Sequence, residues 1–354
     1  MYSQNFIRIY LLMDNKFGIL IILLSFFCFS CTSAPEETVE LFINNKERTD
    51  SIGERTDSIG NKSEDSTKSL LKLEQYFQLY NGYCVVEGAA IYGDYLFQVS
   101  VGSELHIYNF AKKKYIATIK LKKVGHADTI CFGTEKVEEN DEFPVLYISG
   151  PKVYEAGKKG EIYVYRILRE TNEQGLENWQ GTLRQIIKTP DVTIVGNYPD
   201  IVIDEKNKCM WMMGWFSQLG HNADGGGCTN IFSRFPIPSI TDGTKDNKGV
   251  FYLTLSEESR LSYFLVYDIH ATTQGLCFYN GMIICPYGKP SVSYKGVDFV
   301  DINKQQVIAN INLAGSIIYE AEAAVVANNG LYIVGQRDYI YKCSGIDVSL
   351  LSNN

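Results

Sequence analysis

Five polar side chains recur at one position of a repeated sequence pattern, and their types suit them to chemistry. In each copy an acidic or amide residue opens a small or aliphatic run, and a polar turn separates that run from a second apolar run. The five residues are Glu87, Asp128, Asp200, Gln274 and Glu322. If the copies are equivalent in space, their carboxylates converge. Converging carboxylates raise one another's pKa and can act as acid and base, and their oxygens suit Ca²⁺.

The same five positions also suit a structural role. Buried carboxylates and amides often hydrogen-bond the backbone of a neighbouring strand, and such residues would only hold the repeats together. His126 and Glu320 each stand two residues before a member of the set and could line the same space. The sequence therefore predicts a polar cluster without naming a catalytic residue. It predicts no resident metal or cofactor, with Ca²⁺ as the one alternative.

The elements that must position this cluster are β-strands. From Leu70 onward, short runs rich in Tyr, Phe, Val and Ile alternate with Gly, Asn, Asp and Lys turns, with almost no helical periodicity. The five copies start 41, 72, 74 and 48 residues apart. Two of these spacings match a propeller blade of roughly 40–50 residues, and two carry insertions. The prediction is an all-β chain folded as a β-propeller of five four-stranded blades.

Ring closure is the second architectural prediction. A propeller pairs its last blade with a strand from the start of the chain, which removes exposed sheet edges. Residues 73–79 are an unassigned strand before the first copy, so we expect them to pair with residues 339–342. Strand spacing leaves two alternatives open, a sixth blade around residues 260–270 and a pair of β-sandwiches.

The N-terminal region predicts export and lipid attachment. Its apolar run, residues 17–29, is shorter than the roughly 20 residues of a membrane-spanning helix. Ser30, Cys31 and a polar stretch follow, an order that resembles a bacterial lipoprotein signal. The resemblance implies that Cys31 carries several acyl chains such as palmitate, and two or more chains anchor a protein stably. An ordinary cleaved secretory signal is the alternative, and Met13 is the better translation start.

Three segments follow from these patterns. Residues 1–30 are predicted to be the signal peptide, residues 31–69 the acylated N-terminus with a flexible polar tether, and residues 70–354 the propeller. The tether contains two identical copies of a seven-residue unit, residues 47–53 and 54–60, each with one apolar residue. Such a unit cannot bury a face. The predicted location is extracytoplasmic, lipid-anchored to the bacterial membrane, with the outer membrane favoured.

Composition limits the class of partner. The chain is 45% hydrophobic, which is typical of a folded protein, and its formal net charge is −8. Nucleic acid is excluded as a partner, because phosphate binding depends on Lys and Arg and no basic stripe offsets the negative charge. Seven cysteines follow Cys31 without zinc-ligand spacing, and we expect most to be free and buried.

The fourth copy carries a family resemblance. The segments that carry it are Thr273-Gln274-Gly275-Leu276, Asn280-Gly281, Pro286-Tyr287-Gly288 and Val297-Asp298-Phe299-Val300-Asp301. This pattern resembles the opening blade of bacterial and plant-type glutamine cyclotransferases, which are five-bladed propellers. The resemblance implies conversion of N-terminal glutamine to pyroglutamate by a proton-shuttling carboxylate. The segment stands fourth here and first in those enzymes, so the expectation is a noncatalytic relative or a chance likeness between propellers.

The predicted function follows from the anchor and the repeat. It is a cell-envelope lipoprotein whose propeller binds a peptide, a glycan or a protein partner, with Trp211 and Trp215 as candidate platforms at the rim. One alternative is an enzyme that uses the channel carboxylates, either cyclotransferase-like or glycan-cleaving. The other is a structural subunit of an envelope assembly.

Overall fold

Five four-stranded antiparallel sheets stand in a ring, the arrangement of a five-bladed β-propeller. The computed structural model describes residues 37–43, 69–79, 85–150, 159–215, 227–270, 273–288, 295–313, 316, 320–335 and 339–351. Cys31 and the tandem repeat lie outside these residues. The predicted all-β propeller is confirmed, and the β-sandwich alternative is wrong.

The strands are numbered in chain order. Two of them precede the first complete blade: β1 (Glu37–Ile43) and β2 (Ser69–Gln78). The first blade contains β3 (Val86–Tyr92), β4 (Tyr95–Ser100), β5 (Glu104–Asn109) and β6 (Lys114–Lys120). The second blade contains β7 (Ile130–Phe132), β8 (Leu146–Ser149), β9 (Lys159–Thr171) and β10 (Glu177–Asp191), followed by helix α1 (Val192–Val195).

The third blade contains an insertion between its last two strands. Its first three strands are β11 (Asn197–Asp204), β12 (Cys209–Trp215) and β13 (Gly227–Pro236). The insertion forms β14 (Thr244–Lys245), β15 (Phe251–Thr254) and a 3₁₀ turn (Glu257–Ser259), and β15 extends the second blade by pairing with β10. The outermost strand is β16 (Ser262–His270), which pairs with β13. The alternative of a sixth blade at residues 260–270 is therefore wrong.

The last two blades complete the ring. The fourth contains β17 (Cys277–Tyr279), β18 (Met282–Gly288), β19 (Lys295–Asp301) and β20 (Gln306–Asn312). The fifth contains β21 (Ala321–Ala327), β22 (Gly330–Gly335), β23 (Tyr339–Ser344) and, as its outermost strand, β2; helix α2 (Val348–Leu351) follows β23. Because β2 pairs with β23, with Gln78 opposite Tyr339, the predicted closure is confirmed.

Strand β1 adds a connection that the sequence interpretation did not contain. It pairs with β20 of the fourth blade and with β2 of the fifth, which joins the two blades into one nine-stranded sheet. This strand lies within the segment assigned to the tether, so the structure places part of residues 31–69 in the propeller. Five residues, 32–36, separate the predicted anchor Cys31 from β1.

Turn chemistry and apolar packing explain the blades. The hairpin between β17 and β18 turns at Asn280 and Gly281, whose φ values of 47° and 83° are both positive, as a type I′ turn requires. Between the first and fifth blades, Phe77 of β2 packs with Phe110, and both rings belong to a buried aromatic cluster.

Trp211 is buried against Phe264, so its predicted role as a rim platform is wrong.

The inner strands converge closely at the centre of the ring. Strands β3, β7, β11, β17 and β21 contact one another in that order, and β21 returns to β3. A Cβ atom on Gly275 would lie 2.6 Å from the Asp128 carbonyl oxygen and 2.8 Å from that of Glu322. A Cβ atom on Gly88 would meet the same Asp128 oxygen at 2.8 Å. Four of the five blades therefore meet at backbone contact here, which only glycine permits at these two positions.

This layer of glycines separates two different regions of the channel. The residues that follow it on the inner strands line an apolar cavity of about 270 Å³, which includes Ala90, Cys131, Ile203, Cys277 and Val325. The predicted polar residues all precede the layer in sequence.

Among the described residues, Cys131, Cys209, Cys277, Cys285 and Cys343 are free, as expected.

Gly275→Ala tests the convergence. We expect a loss of about 1–3 kcal/mol in the free energy of unfolding, because the added methyl group forces two backbones apart. Gly330→Ala is the matched control in a strand, since the nearest atom to its added Cβ lies 3.3 Å away, and its effect should stay below about 1 kcal/mol. Urea unfolding of both variants gives the comparison. Equal effects would show that the inner strands are not in backbone contact.

Candidate functional site: the acidic mouth of the channel

The five predicted polar residues lie buried around the N-terminal ends of the inner strands. Glu87 and Glu322 are the second residues of β3 and β21, Asp200 lies within β11, and Asp128 and Gln274 shortly precede β7 and β17. None exposes more than 6% of its surface. We call this end of the channel the acidic mouth and define it by these residues together with His126 and Glu320. Burial of so many acidic groups requires that each has a partner or a proton.

His126 links two of the carboxylates. Its Nε2 atom lies 3.0 Å from Glu87 Oε2 and 3.2 Å from Asp128 Oδ1. Both carboxylate side chains are 5% exposed, whereas that of His126 is 49% exposed. The arrangement therefore places one imidazole at the solvent side of two buried acids.

The pKa of His126 follows from this contact. Its hydrogen bond to Asp128 and its hydrogen bond to Glu87 raise the pKa to about 9, against the opposing effect of burial. At neutral pH the imidazole is therefore a cation, and it neutralises part of the negative charge of the mouth.

Glu322 avoids a buried negative charge in a different way, because its carboxyl group stays protonated. Burial raises its pKa most, a hydrogen bond to Glu320 and the charge of Glu320 add to the rise, and Glu87 and Asp128 contribute further, to give a pKa of about 11. Glu322 therefore stays protonated at neutral pH. Within the described part of the chain, its buried Oε1 atom has no hydrogen-bond partner.

Thr129 connects the second, third and fourth blades at the mouth. Its hydroxyl donates to Asp200 Oδ1 at 2.7 Å and accepts the backbone N–H of Leu276 at 3.3 Å. Its own N–H donates to Ser149 Oγ at 2.9 Å. These bonds fix the loop that carries His126 and Asp128, so the two side chains approach Glu87 on a rigid support.

Gln274 serves the backbone of its own blade. Its side-chain Nε2 donates to the Gly288 carbonyl at 3.3 Å, and its N–H donates to the Pro286 carbonyl at 2.9 Å. These contacts match the structural alternative for this member of the set. The structure thus brings Glu87, Asp128 and Glu322 together, connects Asp200 to them through Thr129, and turns the Gln274 amide toward its own blade.

Three buried polar residues of the propeller were not singled out by the sequence interpretation. Thr129 directly follows Asp128, yet nothing in its type indicates a bond to a residue 71 positions away. Lys295 and Asp298 lie on β19, the third strand of a blade, where no repeat marks them. Asp298 accepts a 2.7 Å hydrogen bond from Asn310, and burial lowers the pKa of Lys295 while nearby Glu320 opposes that shift. Lys295 is therefore linked to the mouth, because Glu320, a residue of the mouth, affects its pKa.

The arrangement suits binding of a small cation. The Nε2 atom of a half-exposed imidazole already lies 3.0 Å from one buried carboxylate oxygen and 3.2 Å from another. Among the described residues, Glu87, His126 and Asp128 also form a set of three ligand atoms that all lie within 4.8 Å of one another, as a metal site requires. The fold and this site define a class, a five-bladed propeller with an acidic mouth.

Comparisons with known proteins found distant likenesses among solved structures. No family model and no curated protein matches the sequence. The glutaminyl cyclase of Myxococcus xanthus is 10% identical, with 78% of this chain and 97% of that chain covered and a TM-score of 0.43. Hydrazine synthase of Kuenenia stuttgartiensis is 10% identical, with 72% and 57% covered and a TM-score of 0.32.

A computationally designed protein is also among the similar structures. The computationally designed Ika8 is 8% identical, with 77% of this chain and 100% of that chain covered and a TM-score of 0.33. All three likenesses are too distant to carry an argument about activity.

His126→Gln tests the charge balance of the metal-free mouth. The pKa of His126 rises from its ordinary value of about 6.5 to about 9 on folding, so its stabilising effect is fully present below about pH 6.5 and lost as the pH rises through about 9. The wild type should therefore melt at a higher temperature than the variant near neutral pH, with the difference vanishing in alkali.

The matched control is His106→Gln. Burial lowers the pKa of His106, so that imidazole is neutral over the same alkaline range. Its effect on the melting temperature should stay constant there. A wild-type advantage over His126→Gln that is unchanged in alkali would contradict the assigned contact.

Proposed function

We propose that this chain is a lipid-anchored propeller of the bacterial cell envelope, and that its acidic mouth binds the ammonium group of a peptide N-terminus. One observation carries the ligand assignment: the His126 cation lies between two buried carboxylates, at 3.0 Å and 3.2 Å. In this contact His126 occupies the position that a ligand cation would take.

The ammonium group of a ligand can replace the His126 imidazolium between the two carboxylates. Because the His126 side chain is 49% exposed, it can rotate toward solvent without leaving a cavity in the core. An ammonium group then donates to Glu87 and Asp128, with its third hydrogen directed elsewhere in the mouth. Charge-assisted hydrogen bonds of this kind are about twice as strong as neutral ones. A neutral glycan would leave the two buried charges without compensation, which is costly.

The anchor part of the proposal rests on the sequence around Cys31, which resembles a lipoprotein signal. Among the described residues, no helix has the length and apolarity to cross a bilayer. A peptide presented outside the cytoplasm is the ligand class that suits this location.

A second candidate function is favoured by the pair formed by Glu320 and Glu322. A buried carboxyl that keeps its proton at neutral pH lies beside one that can accept it. In a cyclotransferase, a carboxylate takes a proton from the attacking amine of an N-terminal glutamine and a carboxylic acid returns one to the departing ammonia. The ring C–N bond forms as the amide C–N bond breaks, and the pair regains its starting protonation.

Peptide titration tests the proposal. A peptide with a free N-terminus should bind, and the same peptide with an acetylated N-terminus should bind at least about tenfold more weakly, because it lacks the charge. Glu87→Gln and Asp128→Asn should reduce affinity for the free peptide by a similar factor. Isothermal titration calorimetry measures the affinity of the wild type for the free and the acetylated peptide, and of each variant for the free peptide.

The matched control is Glu104→Gln, which removes a carboxylate that also faces a histidine, His106, at 3.8 Å but lies outside the mouth. Its affinity should equal that of the wild type. Equal binding of the free and acetylated peptides would contradict the ammonium assignment. Release of ammonia from a Gln-initiated peptide, lost in Glu322→Gln, would instead establish the second candidate.

A further inference from the structure

We propose that Glu87, His126 and Asp128 also form a binding site for a divalent transition-metal ion of the Zn²⁺ class, and that the ion competes with the ammonium ligand for the acidic mouth. The metal site stands on its own geometry. The competition rests on the proposed function.

The spacing of the three side chains suits such an ion. His126 Nε2 lies 3.0 Å from Glu87 Oε2 and 3.2 Å from Asp128 Oδ1, and one ligand atom from each side chain lies within 4.8 Å of the other two. Nitrogen and oxygen ligands bind zinc tetrahedrally at about 2.0–2.2 Å, so neighbouring ligand atoms around one ion are roughly 3.3–3.6 Å apart. The two distances to Nε2, 3.0 Å and 3.2 Å, are shorter by a few tenths of an ångström, so small side-chain rotations admit the ion.

The types of donor atom decide the class of metal. One imidazole nitrogen and two carboxylate oxygens suit Zn²⁺ and other first-row ions, and three protein ligands leave a position open for water or a ligand. Ca²⁺, which the sequence interpretation kept as an alternative, needs about six to eight oxygens. The described cluster places an imidazole nitrogen at its centre, so the transition-metal class fits better.

Glu322 supplies an independent observation. It is 1% exposed, and its Oε1 atom has no hydrogen-bond partner within the described part of the chain. Glu322 is the second residue of β21, which lies beside the strand that carries Glu87, so its carboxyl group belongs to the same mouth. An unsatisfied buried oxygen is unfavourable, and water on the open position of a metal could donate to it.

The competition follows from shared atoms. The ammonium group and the metal ion both need the carboxylate oxygens of Glu87 and Asp128. When the metal binds, His126 Nε2 releases its proton to solvent and bonds to the ion instead. The side chain that must rotate away for an ammonium ligand is then fixed in the mouth, so the two cations exclude each other.

Titration of the full chain, freed of metal with a chelator, tests the site with ZnCl₂ alone. We expect one ion per chain, with affinity at least about tenfold weaker in His126→Gln and in Asp128→Asn than in wild type. Glu104→Gln is the matched control and should bind as wild type does. Far-ultraviolet circular dichroism of each variant shows whether it is folded. If His126→Gln does not fold, Glu87→Gln replaces it in the comparison.

Substitution with Co²⁺ identifies the ligands directly. Imidazole and carboxylate ligands give only weak visible bands, and these should disappear in Asp128→Asn. An intense thiolate charge-transfer band would place the ion at the free cysteines and overturn the proposal. Failure to bind one ion per chain, or equal affinity in the mouth variants and wild type, would overturn it as well.

Peptide binding in the presence of the metal separates the two proposals. Saturating Zn²⁺ should weaken binding of the free-amine peptide by at least about tenfold. If the metal binds and the peptide affinity is unchanged, the competition is wrong and the metal site remains. If no peptide binds even without metal, the proposed function fails while the Zn²⁺ titration still decides the site.

Discussion

Backbone contact between the inner strands at the centre of the ring is the constraint on which the rest of the structure depends. Gly275 and Gly88 allow the carbonyl group of Asp128 to approach two other blades. The side chains that precede this layer are brought together, and their carboxylates are buried. Buried acids in a medium of low polarity must be paired or protonated. His126 pairs with two of them, Thr129 bonds to a third, and Glu322 keeps its proton.

The ring could be predicted from the sequence because its causes are local. Alternating apolar runs and turn residues define strands, and a fixed position before each inner run defines the repeat. Closure by the strand containing Leu73 followed from the need to cover sheet edges. Strand β1 could not be predicted, because Glu37–Ile43 lies next to polar sequence and its partners, β20 and β2, are chosen by the tertiary fold. The sixth-blade alternative failed since β16 completes a blade that an insertion had interrupted.

The candidate site was predictable only in part. The repeat indicated Glu87, Asp128 and Glu322, and proximity in sequence indicated His126 and Glu320. What the sequence could not supply is orientation: Gln274 occupies the same repeat position, yet its amide bonds to Gly288 of its own blade. The division of charge between His126 and Glu322 also depends on distances across blades, which no spacing along the chain encodes. The repeat therefore supplies the candidate residues, and the distances between them in the fold decide which ones we propose as ligand-binding.

The central claim is that two buried carboxylates share one imidazole at the mouth of the channel. A crystal structure of the metal-free protein at neutral pH measures this most directly. The account predicts oxygens of Glu87 and Asp128 that both lie within hydrogen-bonding distance of His126 Nε2. An imidazole directed into solvent, with the two carboxylates bound to separate partners, would contradict it.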